Sequence, residues 1–383
     1  MKWINFLHLY QPMNADAAII KEATEKSYYR IVRALEENSK IKFTINISGC
    51  LLVRWDELGF GDIIRRINVL IKQGRIELTG TAAYHPLLPL IPTTEVKRQI
   101  AENEAIIKKY FGNYRPRGFF LPEMAYNQMA AKIISNLGYE WIILDEIAYN
   151  GKLDQVDFNK IYIDKSSGLK IIFRSRKISK GYVPDLLKKE VDKNELYISA
   201  TDGELYGLRH IDHTAEFEKF LKNKNLETKL FSEFIGGMKT IEIIKPVPCS
   251  WESTEKELKQ NQPYALWYNK SNKIQMKMWE LANLVYQTAE KFSKDKNYLS
   301  VRWHLVRGLA SCTFWWASGK NLGPFSPVAW SPDDVERGLN EFIRAIRTLD
   351  DVKTKAVKIK AEKLNAEIKK MLWTKHWLKH WKK

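Results

Sequence analysis

Cysteine is scarce in this chain. Only Cys50, Cys249 and Cys312 occur among 383 residues, widely spaced and in apolar surroundings. That spacing excludes a disulfide framework or a zinc-ligand set, and a reducing, cytoplasmic setting is expected. No stretch approaches the ~18 consecutive apolar residues of a membrane span, so no membrane partner is expected. Met1 to Leu9 alternate like a strand and lack a small-residue cleavage site, which argues against a secretory leader. Internal repeats and low-complexity linkers are absent as well. Acids are the minority charge, 45 against 62 basic residues, for a formal net charge of +17. Such an excess can serve nucleic acid. Here much of it is gathered between Lys353 and Lys383, and no motif that reads RNA or DNA is present, so nucleic acid is not an expected partner.

What is present is ample core material: 45% hydrophobic residues and 13 tryptophans. A chain of this length holds one large α/β barrel or two ordinary domains. Strand and helix signals alternate through its first two-thirds. Lys2–Leu9, Lys42–Ile47, Arg75–Thr79, Arg117–Leu121, Trp141–Leu144, Lys170–Arg174 and Leu196–Ala200 read as strands. Tyr28–Glu37, Asp62–Lys72, Thr94–Tyr110 and Asn127–Leu137 read as helices, the second, third and fourth followed by Gly74, Gly112 and Gly138 as stop signals. About seven βα units imply parallel strands with right-handed crossovers. Beyond residue 245 the pattern changes to long helices, Lys273–Phe292, Ser300–Ala317 and Pro332–Leu349. The expected division is 1–245 as the α/β part, 246–350 as a helical subdomain and 351–383 as a basic amphipathic helix. In that last helix Trp373, Trp377 and Trp381 step by four as one aromatic stripe, expected to dock on protein.

Two strands end in an acid. Gly118-Phe119-Phe120-Leu121-Pro122-Glu123 is an apolar run that stops at Glu123. The β-rich run from Leu196 stops at Asp202, within Thr201-Asp202-Gly203-Glu204. Either acid alone is ordinarily a solvated strand-end carboxylate. Converging at the carboxyl face of a closed barrel, the pair has the composition that glycoside hydrolysis needs: one carboxylate for the anomeric carbon and one acid for the leaving oxygen. A general acid must hold its proton at working pH, which burial or a nearby carboxylate such as Glu204 would favour.

The surroundings of both acids resemble glycoside hydrolase family 57. His8-Leu9-Tyr10-Gln11-Pro12 is similar to the family's first motif, Phe119 to Glu123 to its third and Thr201 to Gly207 to its fourth. Tyr84-His85-Pro86, Ser250-Trp251-Glu252-Ser253 and Trp315-Trp316-Ala317-Ser318 stand in the same order as in the family. The resemblance implies an α/β fold, a distorted (β/α)7 barrel with a C-terminal helical subdomain lending residues to the cleft. It implies a retaining enzyme acting on α-glycosidic bonds, foremost α-glucan, with Glu123 as nucleophile and Asp202 as general acid/base. His8, Gln11, His85, Glu204, Trp251 and Trp316 are the implied substrate-binding residues, and an oligo- or polysaccharide is the implied partner. No cofactor and no metal is implied. Tryptophans outside the core suit the flat faces of sugar rings. Adjacent helical residues diverge by ~100°, so one of Trp315 and Trp316 is expected to reach the sugar while the other is buried, and the resemblance implies Trp316 as the cleft residue.

Two positions depart from the family pattern. Gly49-Cys50-Leu51-Leu52 has no acid until Asp56, and Thr313 stands where many members carry Asp. These departures leave open a silent carbohydrate-binding protein on the same barrel. His210 and His213, with Asp212 between them, leave open a metal-dependent deacetylase.

Overall fold

The computed structural model describes residues 1–189, 195–322 and 328–381. Lys382 and Lys383, part of the expected C-terminal helix, lie outside the described residues. Contacts divide the chain into two units, Met1–Ala83 with Leu88–Leu258, and Tyr84–Leu87 with Lys259–Lys383. The first unit thus runs past the 245/246 boundary and takes in Trp251, and the C-terminal helix shares the second unit with the helices before it.

Among the described residues the first unit is built on ten strands: β1 (Lys2–Leu9), β2 (Phe43–Ile47), β3 (Ile76–Leu78), β4 (Gly118–Phe119), β5 (Trp141–Asp145), β6 (Ile161–Asp164), β7 (Lys170–Arg174), β8 (Leu196–Asp202), β9 (Glu227–Thr228) and β10 (Ile241–Ile244). They form two sheets, β3-β2-β1-β8 with β9 beside β1, and β10-β6-β7-β5-β4. All pairings are parallel except β6 with β7.

Two seams join the sheets into a ring. At one, Gly80 pairs in parallel with Phe119, and the Gly80 and Phe120 amides donate to Gly118 and Gly80 carbonyls at 2.9 Å each. At the other, the Ser175 amide donates to the Ile198 carbonyl at 2.9 Å and Arg174 Nη1 to the Ala200 carbonyl at 2.9 Å. The ring β1-β2-β3-β4-β5-β7-β8 is the distorted (β/α)7 barrel. Its strands are apolar because both faces are covered. Phe6 on β1 stacks on Phe120 across the ring at 5.2 Å, and Phe231 lies against Phe6 at 5.7 Å and Trp141 at 5.4 Å.

The second unit is helical: Lys273–Lys291, Tyr298–Gly308, Ser311–Trp315, Pro332–Thr348 and Lys355–Lys375, the last continued by a π-turn over His376–His380. The expected continuous helix Ser300–Ala317 is broken. Ala310 leaves helical geometry at φ −52°, ψ 137°, bridges antiparallel to Pro86, and the Ser311 amide takes the His85 carbonyl at 2.9 Å. In the C-terminal helix Leu364, Ile368 and Leu372 are buried, and Trp373 donates to Glu336 at 2.6 Å. Trp377 and Trp381 are exposed, so within this unit the stripe docks through Trp373. No helix among the described residues is long and apolar enough to cross a membrane.

Candidate active site

Glu123 sits on a tight turn just beyond β4. Pro122 opens the turn, and Glu123 and Met124 both take left-handed backbone angles, φ 60° and 47°. Such angles disfavour residues with a Cβ and persist where the surroundings over-determine them. Here a segment far along the chain supplies the constraint. Tyr126 and Cys249 pair antiparallel, and the Trp251 amide donates to the Glu123 carbonyl at 3.1 Å. The Trp251 indole Nε1–H then donates to Glu123 Oε2 at 2.9 Å. A buried tryptophan thus orients the carboxylate, a role beyond the sugar contact expected of it.

Asp202 ends β8, directly opposite His8 in the β1–β8 register. It accepts a hydrogen bond from Arg209 Nη1 at 3.0 Å, and its side chain is 25% exposed, open enough to meet a ligand. His8 is buried, and its Nδ1 lies 2.9 Å from Asn46 Oδ1 on β2. Its ring meets Phe120 at 4.7 Å and Trp251 at 6.1 Å. His8 therefore stands between the strand that ends in Asp202 and the tryptophan that holds Glu123.

Gln11 and Glu204, expected to bind sugar hydroxyls, are buried and bonded to each other. Gln11 Nε2 donates to Glu204 Oε1 at 2.7 Å, and the Tyr28 hydroxyl donates to the same oxygen at 2.6 Å. Gly203 earns its place through space rather than a left-handed turn, since a Cβ there would meet Leu9 Cδ2 at 2.2 Å. By sequence Tyr28 marks only the start of a helix. The helix in fact begins at Ala17 and passes through a π-turn, Thr24–Tyr28, just where the hydroxyl is delivered. Such turns recur at functional positions.

Burial pushes the Glu204 carboxyl up to about 7, with the Asp202 charge adding to the effect and Arg209 and the Tyr28 hydrogen bond opposing it. A carboxyl raised in the folded state stabilises the fold fully below its unfolded value near 4.5, and that contribution fades as pH rises through about 7. Glu204→Gln, which stays neutral, should therefore gain on wild type by up to ~3 kcal/mol between pH 4.5 and 8. Urea denaturation across that range checks it, and two parallel pH profiles would refute it.

His85 and Trp316 belong to the second unit. His85 is buried with φ 57°, and Trp316 follows the short helix Ser311–Trp315. Trp315 and Trp316 meet edge to face at 4.4 Å and both are half-buried, so the expected contrast between them is not present. Thr313 is buried, and it occupies the room left by Gly338, where a Cβ would lie 2.3 Å from its methyl. His210 stacks on Tyr182 at 4.0 Å, and no group of three or more His, Cys, Asp or Glu suited to a metal occurs among the described residues.

Known proteins share this architecture. An α-amylase of Pyrococcus horikoshii is 26% identical over 282 residues, 67% of this chain and 44% of that protein. The chain spans less than half the length of three α-amylases it matches, 44%, 31% and 42%. The 4-α-glucanotransferase structure from Thermococcus litoralis has a TM-score of 0.70 at 17% identity, over 91% of this chain and 60% of that one. A GH57-type branching enzyme from Pyrococcus horikoshii gives 0.69 at 15% identity, over 95% and 94%. These structural likenesses speak for the fold. Residues 3–246, more than half of the chain, match Glycosyl hydrolase family 57, and the chain belongs to that family.

Proposed function

We propose that this chain is a retaining glycoside hydrolase or transglycosylase acting on the α-glycosidic bonds of an α-glucan. Glu123 attacks the anomeric carbon and expels the leaving oxygen, which takes a proton from Asp202. Asp202 then deprotonates the incoming acceptor, which displaces Glu123 and restores the anomeric configuration. The observation that carries this reading is the position of His8. It pairs in register with Asp202, and its ring meets Trp251, whose indole holds Glu123.

Relatives named α-amylase and 4-α-glucanotransferase support α-glucan as the substrate. Water and a sugar hydroxyl compete for the same glycosyl-enzyme intermediate, so hydrolysis and transfer are two outcomes of one site. Labelled maltooligosaccharides, pullulan and α-galactosides, with product lengths resolved, test the proposal. Shorter products mean hydrolysis, longer products mean transfer, and no product from the maltooligosaccharides or pullulan overturns it. The second reading, a silent carbohydrate-binding barrel, draws on Thr313, which stands where many members of the family carry Asp and packs against Gly338. Binding of these oligosaccharides without turnover would support it.

A further inference from the structure

Arg174 closes β7, two residues before Arg176, and both side chains are almost wholly buried on one fully buried carboxylate, Asp145. Arg174 Nε donates to Asp145 Oδ2 at 2.8 Å. Arg176 Nε reaches Asp145 Oδ1 at 3.0 Å. Two cations gathered on one anion in a core are costly unless their other donors are used. Both arginines use theirs on one short turn: Arg174 Nη2 donates to the Trp251 carbonyl at 3.1 Å, and Arg176 Nη1 to the Ser253 carbonyl at 2.7 Å. The turn is also closed on itself, with the Ser250 amide donating to Ser253 Oγ at 2.8 Å.

Arg174 touches Trp251 a second time. Its guanidinium carbon lies 5.0 Å from the centroid of the indole ring, within cation–π range. A cation over the ring face draws electron density from the indole and strengthens its N–H as a donor. That N–H is the one 2.9 Å from Glu123 Oε2. A continuous physical path thus runs from Asp145 through Arg174 and Trp251 to the carboxylate on the strained turn. We infer that Arg174, clamped by Asp145, is a positioning residue for Glu123 that acts through the Trp251 indole. The inference rests on Glu123 being the nucleophile, as proposed above.

Lysine is no substitute here, because the path needs a planar fork that grips Asp145 and the Trp251 carbonyl together while lying over a ring. The test uses the purified full chain with Arg174→Lys, Arg174→Gln and Trp251→Phe. The last keeps an aromatic ring but removes the N–H together with the five-membered ring that carries it. Each folded variant should lose on the order of 100-fold in kcat with KM within about threefold, the signature of a misaimed carboxylate on an intact binding site. The double variant Arg174→Gln/Trp251→Phe should be no slower than the slower single one, because both changes break the same path. Wild-type kcat in any folded single variant overturns the inference, as does a double variant whose losses multiply. Failure of both Arg174 variants to fold also overturns it, since the residue then serves the architecture alone. Covalent labelling of wild type with 5-fluoro-α-glucosyl fluoride separates this inference from the reading beneath it. An adduct on Glu123 keeps the nucleophile assignment whatever the variants do, and an adduct on another residue removes it.

Discussion

Glu123→Gln should abolish turnover, lowering kcat on an α-glucan by on the order of 10⁴-fold or more, because the amide is isosteric but cannot attack carbon. The indole hydrogen bond from Trp251 survives, since the amide oxygen can take the place of Oε2. The melting temperature should therefore move little. Asp202→Asn should lose ~10²–10⁴-fold on polymer, the usual share of proton transfer. It should lose much less on α-glucosyl fluoride, whose departing fluoride needs little protonation. Steady-state rates on both substrates check the pair of variants. Equal losses for Asp202→Asn on both substrates would remove it from the acid role, and wild-type rates for Glu123→Gln would move the active site elsewhere.

The largest expected effect on stability is at the seam. Gly118→Ala places a Cβ 2.1 Å from Trp141 Cζ2 and 2.2 Å from Cε2. The indole cannot step aside. It is fully buried, lies against Phe231 at 5.4 Å and donates to Ser232 Oγ at 3.1 Å. Overpacking against so fixed a ring should cost about 3 kcal/mol, a fall in melting temperature of roughly 6–12 °C for a body of this size. Thermal and urea unfolding check it, and a fall of less than about 2 °C would show that the ring yields. Gly80 is confined in the same way, with the Tyr139 hydroxyl 2.4 Å from where its Cβ would be.

The seven strands of the ring are legible because buried parallel strands are written as short apolar runs between turn residues. Lys2–Leu9 and Lys170–Arg174 were read as they stand. The helix over 300–317 was misread because its break has no local cause. Ala310 is a good helix former, drawn out by Pro86 far earlier in the chain. The strand Ile161–Asp164 was missed as too short to declare a period, and Ile241–Ile244 because its outward residues are exposed. His8, Glu123, Asp202 and Trp251 stand in motifs legible by sequence, and the structure links them through the His8–Asp202 register, the His8–Trp251 ring contact and the Trp251–Glu123 hydrogen bond. Arg174 appeared only as the last residue of a strand, since its partners Asp145 and Trp251 are distant in sequence. Asn46 was hidden likewise, a polar residue in an apolar strand whose meaning comes from His8 beside it. Gln11 and Glu204 invited a sugar-binding reading because sequence shows a polar group but not whether another polar group already occupies it.

Glu123 follows β4 and Asp202 ends β8, strands that belong to different sheets. Among the described residues no unbroken ladder runs between the two acids. In one direction the path crosses the bridge at Gly80 and Phe119. In the other it crosses the contacts of Ser175 with Ile198 and of Arg174 with Ala200. The barrel is in this sense a caliper with an acid on each jaw and a clasp on each side. Retention needs jaws ~5–5.5 Å apart, and an opening to ~6.5 Å already suits inversion. On the retaining mechanism proposed above, a tolerance of about an ångström rests on clasps of a few hydrogen bonds, with Gly80 and Gly118 placed at one of them.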